Sequence, residues 1–509
     1  MPAFLMAPGG RPSRKTEILR EKLNANLPLI VFLGFYFVAT VLANIIYHTA
    51  LGEAWARSSS IEASDFSKVP LMGSTGYWIL LLMPFVIVPP LAIYSARAAK
   101  AGLGRISFVS LEFRRLDYAV ITGAAYAFCY YEFHRSKLDE ILARSANDVF
   151  GSVAARFEIV ETLGFWPLMV MKSVLIFLAV YSLVRAMRSR EWFWIGAFLI
   201  NLIVLSQMLI WLNMKWPVLT YYIALVLCIF LFSQRHPYRN TAVAAIGLGM
   251  VYLVISVVVL RFAEAAILDQ ERGAASDIYV TRPPGTYAQP RPPGTYAQPR
   301  PQGARRDQVT TSIDSAEYTA EVARKSVSSA PLLITNAFNR MALPYPYYYQ
   351  VFTEKGPICG TIVDRILRKK NPCHPSNLIY EEIYGKDGFE GKATAPAAVH
   401  ITSYALGGWG GAVVATVLAS IVIGMFMGLW QSARTSTLAA AVFVMGGYSA
   451  YFFSQLPFEG PIIYDHGILW WTAVLAGYAG YRLVFAPVLS KAILAPIGRW
   501  RNRLSPSRG

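Results

Sequence analysis

Charge is scarce in this chain. Of its 509 residues, 15% are charged and 55% are hydrophobic, and the mean hydropathy is +0.40. An ordinary soluble domain carries nearer to about 25% charge, so that class is excluded. Catalytic signatures are missing as well. There is no G-x-S-x-G, no H-E-x-x-H and no P-loop, which removes the soluble-type hydrolases. The hydrophilic stretch 48–75 has no paired acids of the kind a metal-dependent glycosyltransferase wants. Glu62 and Asp65 stand apart there, and "EE" at 381–382 and "YDHG" at 464–467 are the nearest substitutes. No half-to-half repeat is found, and strong charges inside the apolar runs are nearly confined to Lys172 and Lys215. Both absences count against a transporter, which places charged or broken-helix sites at mid-membrane.

What is there is a series of apolar runs. Each is about 20 residues long, enough to cross roughly 30 Å of hydrocarbon, and only helices or closed barrels satisfy their backbone in lipid. The expected fold is an all-α polytopic membrane protein of about ten transmembrane helices. The spans are read at 27–47, 76–95, 117–133, 163–184, 193–212, 216–233, 241–261, 405–430, 437–455 and 467–486. The third is the shortest in apolar core. Removing it would put "VRAMRSR" on the wrong side.

The net charge of +17 is not read as a nucleic-acid signal. The basic residues sit in alternate gaps: Arg11 to Lys22, Arg97 to Arg115, Arg185 to Arg190, Arg235 and Arg239, Arg434, and Lys491 to Arg508. Positive charge stays on the cytoplasmic side, so both termini are expected there. The expected organisation is a cytoplasmic tail (1–26), spans one to seven (27–261), an external loop domain (262–404), spans eight to ten (405–486) and a basic cytoplasmic tail (487–509). A signal peptide ending at "AWA", 54–56, is disfavoured, because the first run is long for one and 26 residues precede it.

The external loop between spans seven and eight carries the polar chemistry. It opens with "RPPGTYAQP" at 282–290, repeated at 291–299 and followed by "RPQG". So few proline-rich copies read as an extended linker, 282–303. The segment 314–404 reads as ordered: a helix over 314–343, broken by "PYPYYY", then the amphipathic "TIVDRILRKK", then "PSNLIYEEIYGKDGFEG". Cys359 and Cys373 lie here, while Cys129 and Cys228 lie in spans. If the loop is periplasmic, a disulfide closing this stretch is allowed. With His374 the two cysteines make a poor zinc set.

Several elements, in order, resemble the Wzy-type O-antigen and exopolysaccharide repeat-unit polymerases. "NAFNRMALPYPYYY" is similar to that family's arginine-bearing loop helix. "APAAVHITSYALGGWGGAVVATVLASIVIG" is similar to its return into the membrane, and "NMKWPVL" at 213–219 resembles its basic residue at the outer end of a middle span. The proline-rich repeat departs from the pattern. The resemblance implies a bacterial inner-membrane glycosyltransferase acting on undecaprenyl-pyrophosphate-linked oligosaccharide, without metal or cofactor. A flippase and a chain-length regulator are implied as partners. An O-antigen ligase is the alternative within the same chemistry, and a transporter or flippase the alternative outside it.

That chemistry needs cations for the departing pyrophosphate, a base for the acceptor hydroxyl and surfaces for sugar and lipid. Arg340 is the expected cation, since guanidinium forks two phosphate oxygens. Lys215 is a second candidate clamp. His400 is the expected base or phosphate ligand, with Asp387, Glu390 and His466 as rival bases. Tyr345, Tyr347, Tyr348, Tyr349, Tyr404 and Trp409 are the expected substrate-lining aromatics.

Overall fold

The computed structural model describes residues 14–59, 66–103, 105–145, 149–233, 236–256, 338–361, 373–384, 393–464 and 467–485. All regular structure among them is helical, with no strand. The longer helices follow the apolar runs. They are α1 (Leu27–Tyr47), α2 (Thr75–Leu103), α3 (Arg115–Arg135), α4 (Phe165–Ser189), α5 (Trp192–Trp211), α6 (Lys215–Phe232) and α7 (Pro237–Ser256). Two short helices follow, α8 (Pro344–Lys355) and α9 (Pro375–Tyr384). Then come α10 (Val399–Gly428), α11 (Thr437–Phe453) and α12 (Ile468–Gly480).

Six of these helices, α1, α2, α4, α5, α7 and α10, are long and apolar enough to cross a bilayer. Helix α3 has 21 residues but opens with Arg115 and Asp117 and closes with His134 and Arg135. Helices α6 and α11 are apolar but shorter. The proline-rich repeat and the segment "TIVDRILRKK" after Thr361 lie outside the described residues, as does most of the helix expected over 314–343.

Two packing devices hold the bundle. The first is close helix approach. Helices α2 and α10 run parallel, and a Cβ on Gly424 would lie 2.4 Å from the Ala92 carbonyl oxygen. A Cβ on Gly428 would lie 2.8 Å from that of Ala96. Gly424 and Gly428 form a G-x-x-x-G face against Ala92, Ser95, Ala96 and Ala99. In lipid, where no hydrophobic force drives helices together, such close contact supplies the attraction.

The second device is polar. Asn201 of α5 donates to the Tyr118 hydroxyl of α3 at 2.7 Å and to Ser182 of α4 at 3.3 Å. It accepts from Tyr126 at 2.7 Å. This buried side chain therefore ties three helices together. Helix α4 is central, with 94% of its apolar window buried, whereas α7 is peripheral at 6%. In α4, Val170–Leu175 loosens into a π-helical stretch that contains buried Lys172.

Candidate functional site

"PYPYYY" ends the short helical run 338–342 and also begins a new helix. The chain turns at Leu343, and Pro344–Lys355 is helical. The reason is local. The first four N–H groups of a helix have no partner within it, so prolines at 344 and 346 forfeit no helical bond there. The ring of Pro344 also closes off the short helical run before it.

Helix α8 packs against α10, with Tyr345 beside Tyr36 of α1 and Tyr349 beside Tyr77 at the start of α2. Its tyrosines face inward: Tyr345 and Tyr348 have no exposed surface, and Tyr347 and Tyr349 are nearly as buried. Their rings form the core of this region and are not open to sugars, contrary to the expectation from sequence. Three of them have a structural tie. The Ala398 amide donates to the Tyr345 hydroxyl at 2.9 Å. Burial raises the Tyr345 pKa, and that donated bond acts against the rise. Tyr348 reaches the Ala395 carbonyl at 3.4 Å. Tyr349 stacks on Tyr404 with centroids 5.6 Å apart. Its hydroxyl lies 2.1 Å from where a Cβ on Gly76 would stand, so any side chain there would have to displace the Tyr349 ring.

The first helix supplies buried polar partners. Tyr77 donates to Asn44 at 2.5 Å, and Asn44 donates to the Ala342 carbonyl at 3.4 Å. Tyr47 donates to Asn339 at 2.8 Å, and Asn339 donates to the Trp55 carbonyl at 2.5 Å. Gln350 accepts from the Leu71 amide at 2.9 Å. The segment carrying Arg340 is thus bolted to α1 and to the start of α2 by side chains that sequence reasoning did not single out. Asn44 inside an apolar run was the available signal.

Arg340 itself is exposed, next to fully buried Asn339. Among the described residues it has no carboxylate at ion-pair distance. Its charge acts on Tyr384 of α9. Burial raises the Tyr384 pKa, Tyr380 adds to the rise, and the Arg340 charge opposes it. Cys359, just after α8, is joined to Cys373, just before α9, by a disulfide. Lys355 and Glu382 pair at 3.3 Å across the same two helices. The arginine therefore projects from a rigid platform.

His400 has no exposed surface. The Tyr36 hydroxyl donates to the Leu81 carbonyl at 2.8 Å and so accepts from His400 Nε2 at 3.0 Å. His400 Nδ1 is buried without a hydrogen-bond partner. The imidazole is packed edge-on to Tyr36, with centroids 5.2 Å apart. It locks α10 to α1 and has no open face for an acceptor sugar. Seven residues on, α10 kinks at Gly407 and Gly408, where Gly408 takes φ +57° and ψ −150°. Only glycine adopts that backbone readily. The break swings Trp409 out to 40% exposure, edge-on to buried Tyr404 at 5.7 Å. Of the expected aromatics, Trp409 is the one left open.

Lys215 opens α6. Its neighbour Trp216 packs on Tyr451 at 5.8 Å, and Tyr451 packs on Phe35 at 4.8 Å. The start of α6 is therefore linked through two ring contacts to the residue beside Tyr36. Asp387, Glu390 and His466 lie outside the described residues.

Comparison with protein-family models, with curated proteins and with solved structures finds no match. The reading of this site rests on its residues alone.

Proposed function

We propose that the chain polymerises lipid-linked oligosaccharide repeat units at the outer face of a bacterial inner membrane, with ten spans and both termini cytoplasmic. One observation carries the reading. Arg340 is an exposed guanidinium without a carboxylate partner among the described residues, held on a disulfide-closed platform against the kinked helix α10. An exposed guanidinium with no carboxylate partner keeps its donors available for a phosphate. This one is presented.

In the proposed reaction, a hydroxyl of one lipid-linked unit attacks the anomeric carbon of the growing chain. The new glycosidic C–O bond forms as the bond to pyrophosphate breaks, and the hydroxyl proton passes to a base. Arg340 forks the phosphate oxygens and stabilises the charge that develops on them. Lys215 is the second clamp, and Trp409 offers a face to the sugar or the lipid stem. The base is assigned to the group Asp387, Glu390 and His466. His400 is a positioning residue, acting through Tyr36 and the start of α10.

The test is a gel of surface polysaccharide from a deletion strain complemented with wild type or Arg340→Ala. Collapse of the ladder to single units, not restored by Arg340→Ala at normal protein level, is the expected result. Long lipid-linked chains that fail to reach their final acceptor would make the protein a ligase instead. An unchanged ladder would sink the glycan reading and favour transport.

A further inference from the structure

A second charged site lies at the opposite end of the bundle. Helix α2 runs from Tyr77, beside α8, to Ala96, against Gly428 of α10. The far end of α4 lies at that same level, because Arg188 donates to the Ala433 carbonyl just beyond α10. There a cavity of about 410 Å³ is lined by Arg114, Arg115, Arg185 and Arg482 together with Glu112 and Glu191.

The charges at this cavity do not balance. Arg185 pairs with Glu112, Arg115 with Glu191 at 2.7 Å, and Arg482 with Asp117 at 3.8 Å. Among the described residues, four arginines against three carboxylates leave one positive charge, which belongs to exposed Arg114. Donors are in surplus too. Arg185 Nε is buried with no acceptor, although its own guanidinium already serves Glu112 and Thr437. Helices α3 and α5 both begin here, each with no side-chain cap. Their positive dipole ends add to the attraction for an anion.

The rim is apolar. Leu116, Trp192 and Leu483, each next in sequence to a lining residue, are 74%, 85% and 63% exposed, and Val109 on the lining is 59% exposed. Exposed apolar side chains beside a cationic cleft suit a lipid better than a free anion.

We infer that this cleft binds the phosphodiester headgroup of an anionic phospholipid, with its acyl chains lying along Leu116, Trp192 and Leu483. One net positive charge matches one phosphodiester. A general attraction of basic loops to an anionic leaflet would need no cavity and no buried donor. The inference does not depend on the glycan reading.

The test uses the full chain, purified in neutral detergent and titrated with phosphatidylglycerol while native mass spectrometry counts bound lipid. Arg114→Gln with Arg115→Gln is compared with Arg97→Gln with Lys100→Gln, basic residues of the same end outside the cavity. The expected result is at least a tenfold loss of affinity in the first pair and under twofold in the second. Equal losses would reduce the effect to diffuse charge and overturn the site. Inorganic phosphate displacing the lipid at low millimolar concentration would also overturn it, by showing a free-anion site. The thermal midpoint of each variant without lipid, unchanged from wild type, checks that the fold is intact. If the first pair unfolds, Arg114→Gln alone carries the same comparison, since among the described residues that side chain has no ion pair to lose.

Discussion

Replacing Asn339 with leucine keeps the side-chain shape and removes both of its hydrogen-bonding functions. Asn339 has no exposed surface, so water cannot take its place. The Tyr47 hydroxyl loses its acceptor at 2.8 Å and the Trp55 carbonyl loses its donor at 2.5 Å. A buried polar group left unpaired costs about 1–3 kcal/mol. Two such groups, less the gain from burying a leucine, give a net loss of about 3 kcal/mol, which is about a hundredfold in an equilibrium constant. The loss should be local, because the contacts of Asn339 fasten α8 and not the α4 core. Hydrogen exchange read by mass spectrometry on peptides covering Pro344–Lys355 should accelerate about a hundredfold in the variant. Peptides of α4 should be unchanged. Undiminished protection of α8 would refute the reasoning, as would an equal loss in both regions.

Three further outcomes follow from the same contacts. Gly424→Leu should force α10 from α2, because its Cβ alone would stand 2.4 Å from the Ala92 carbonyl oxygen; the thermal midpoint should fall sharply, while Gly477→Ala, with open space around it, should leave it unchanged. Gly76→Ala should displace the Tyr349 ring and lower activity without unfolding the bundle, and a Tyr349→Phe background should relieve part of the defect. Cys359→Ser opens a loop whose ends are 14 residues apart in sequence; the loss should be about 3 kcal/mol in local stability, visible as faster proteolysis between α8 and α9, and a cleavage rate equal to wild type would discount the disulfide.

The helices were legible because an apolar run of the right length has few alternatives in lipid. The weak third span proved to be a 21-residue helix with charged ends, as its short apolar core suggested. The start of α8 was misread, because proline is a breaker in mid-helix and a starter at the first turn, and the sequence alone does not say which position is meant. The tyrosines were misassigned for a related reason: an aromatic cluster near a membrane looks the same whether it lines a surface or fills a core. Asn339 and Asn44 escaped notice because their partners are remote. Tyr47 and Asn339 are 292 residues apart, and Asn44 and Ala342 are 298 apart. Arg340 was legible as a residue out of place among apolar and aromatic neighbours. Its presentation on a fixed platform was not, since that depends on those distant bonds.

The most direct test of the glycan account is reconstitution. The purified chain in proteoliposomes is given undecaprenyl-pyrophosphate-linked oligosaccharide, and the products are separated by size. The account predicts a ladder from the wild type, none from Arg340→Ala, and a weak one from Arg340→Lys, which keeps the charge but not the fork. Equal ladders from wild type and Arg340→Ala would contradict the assigned role of the arginine. Failure of the wild type to extend any matched substrate from its own host would contradict the function itself.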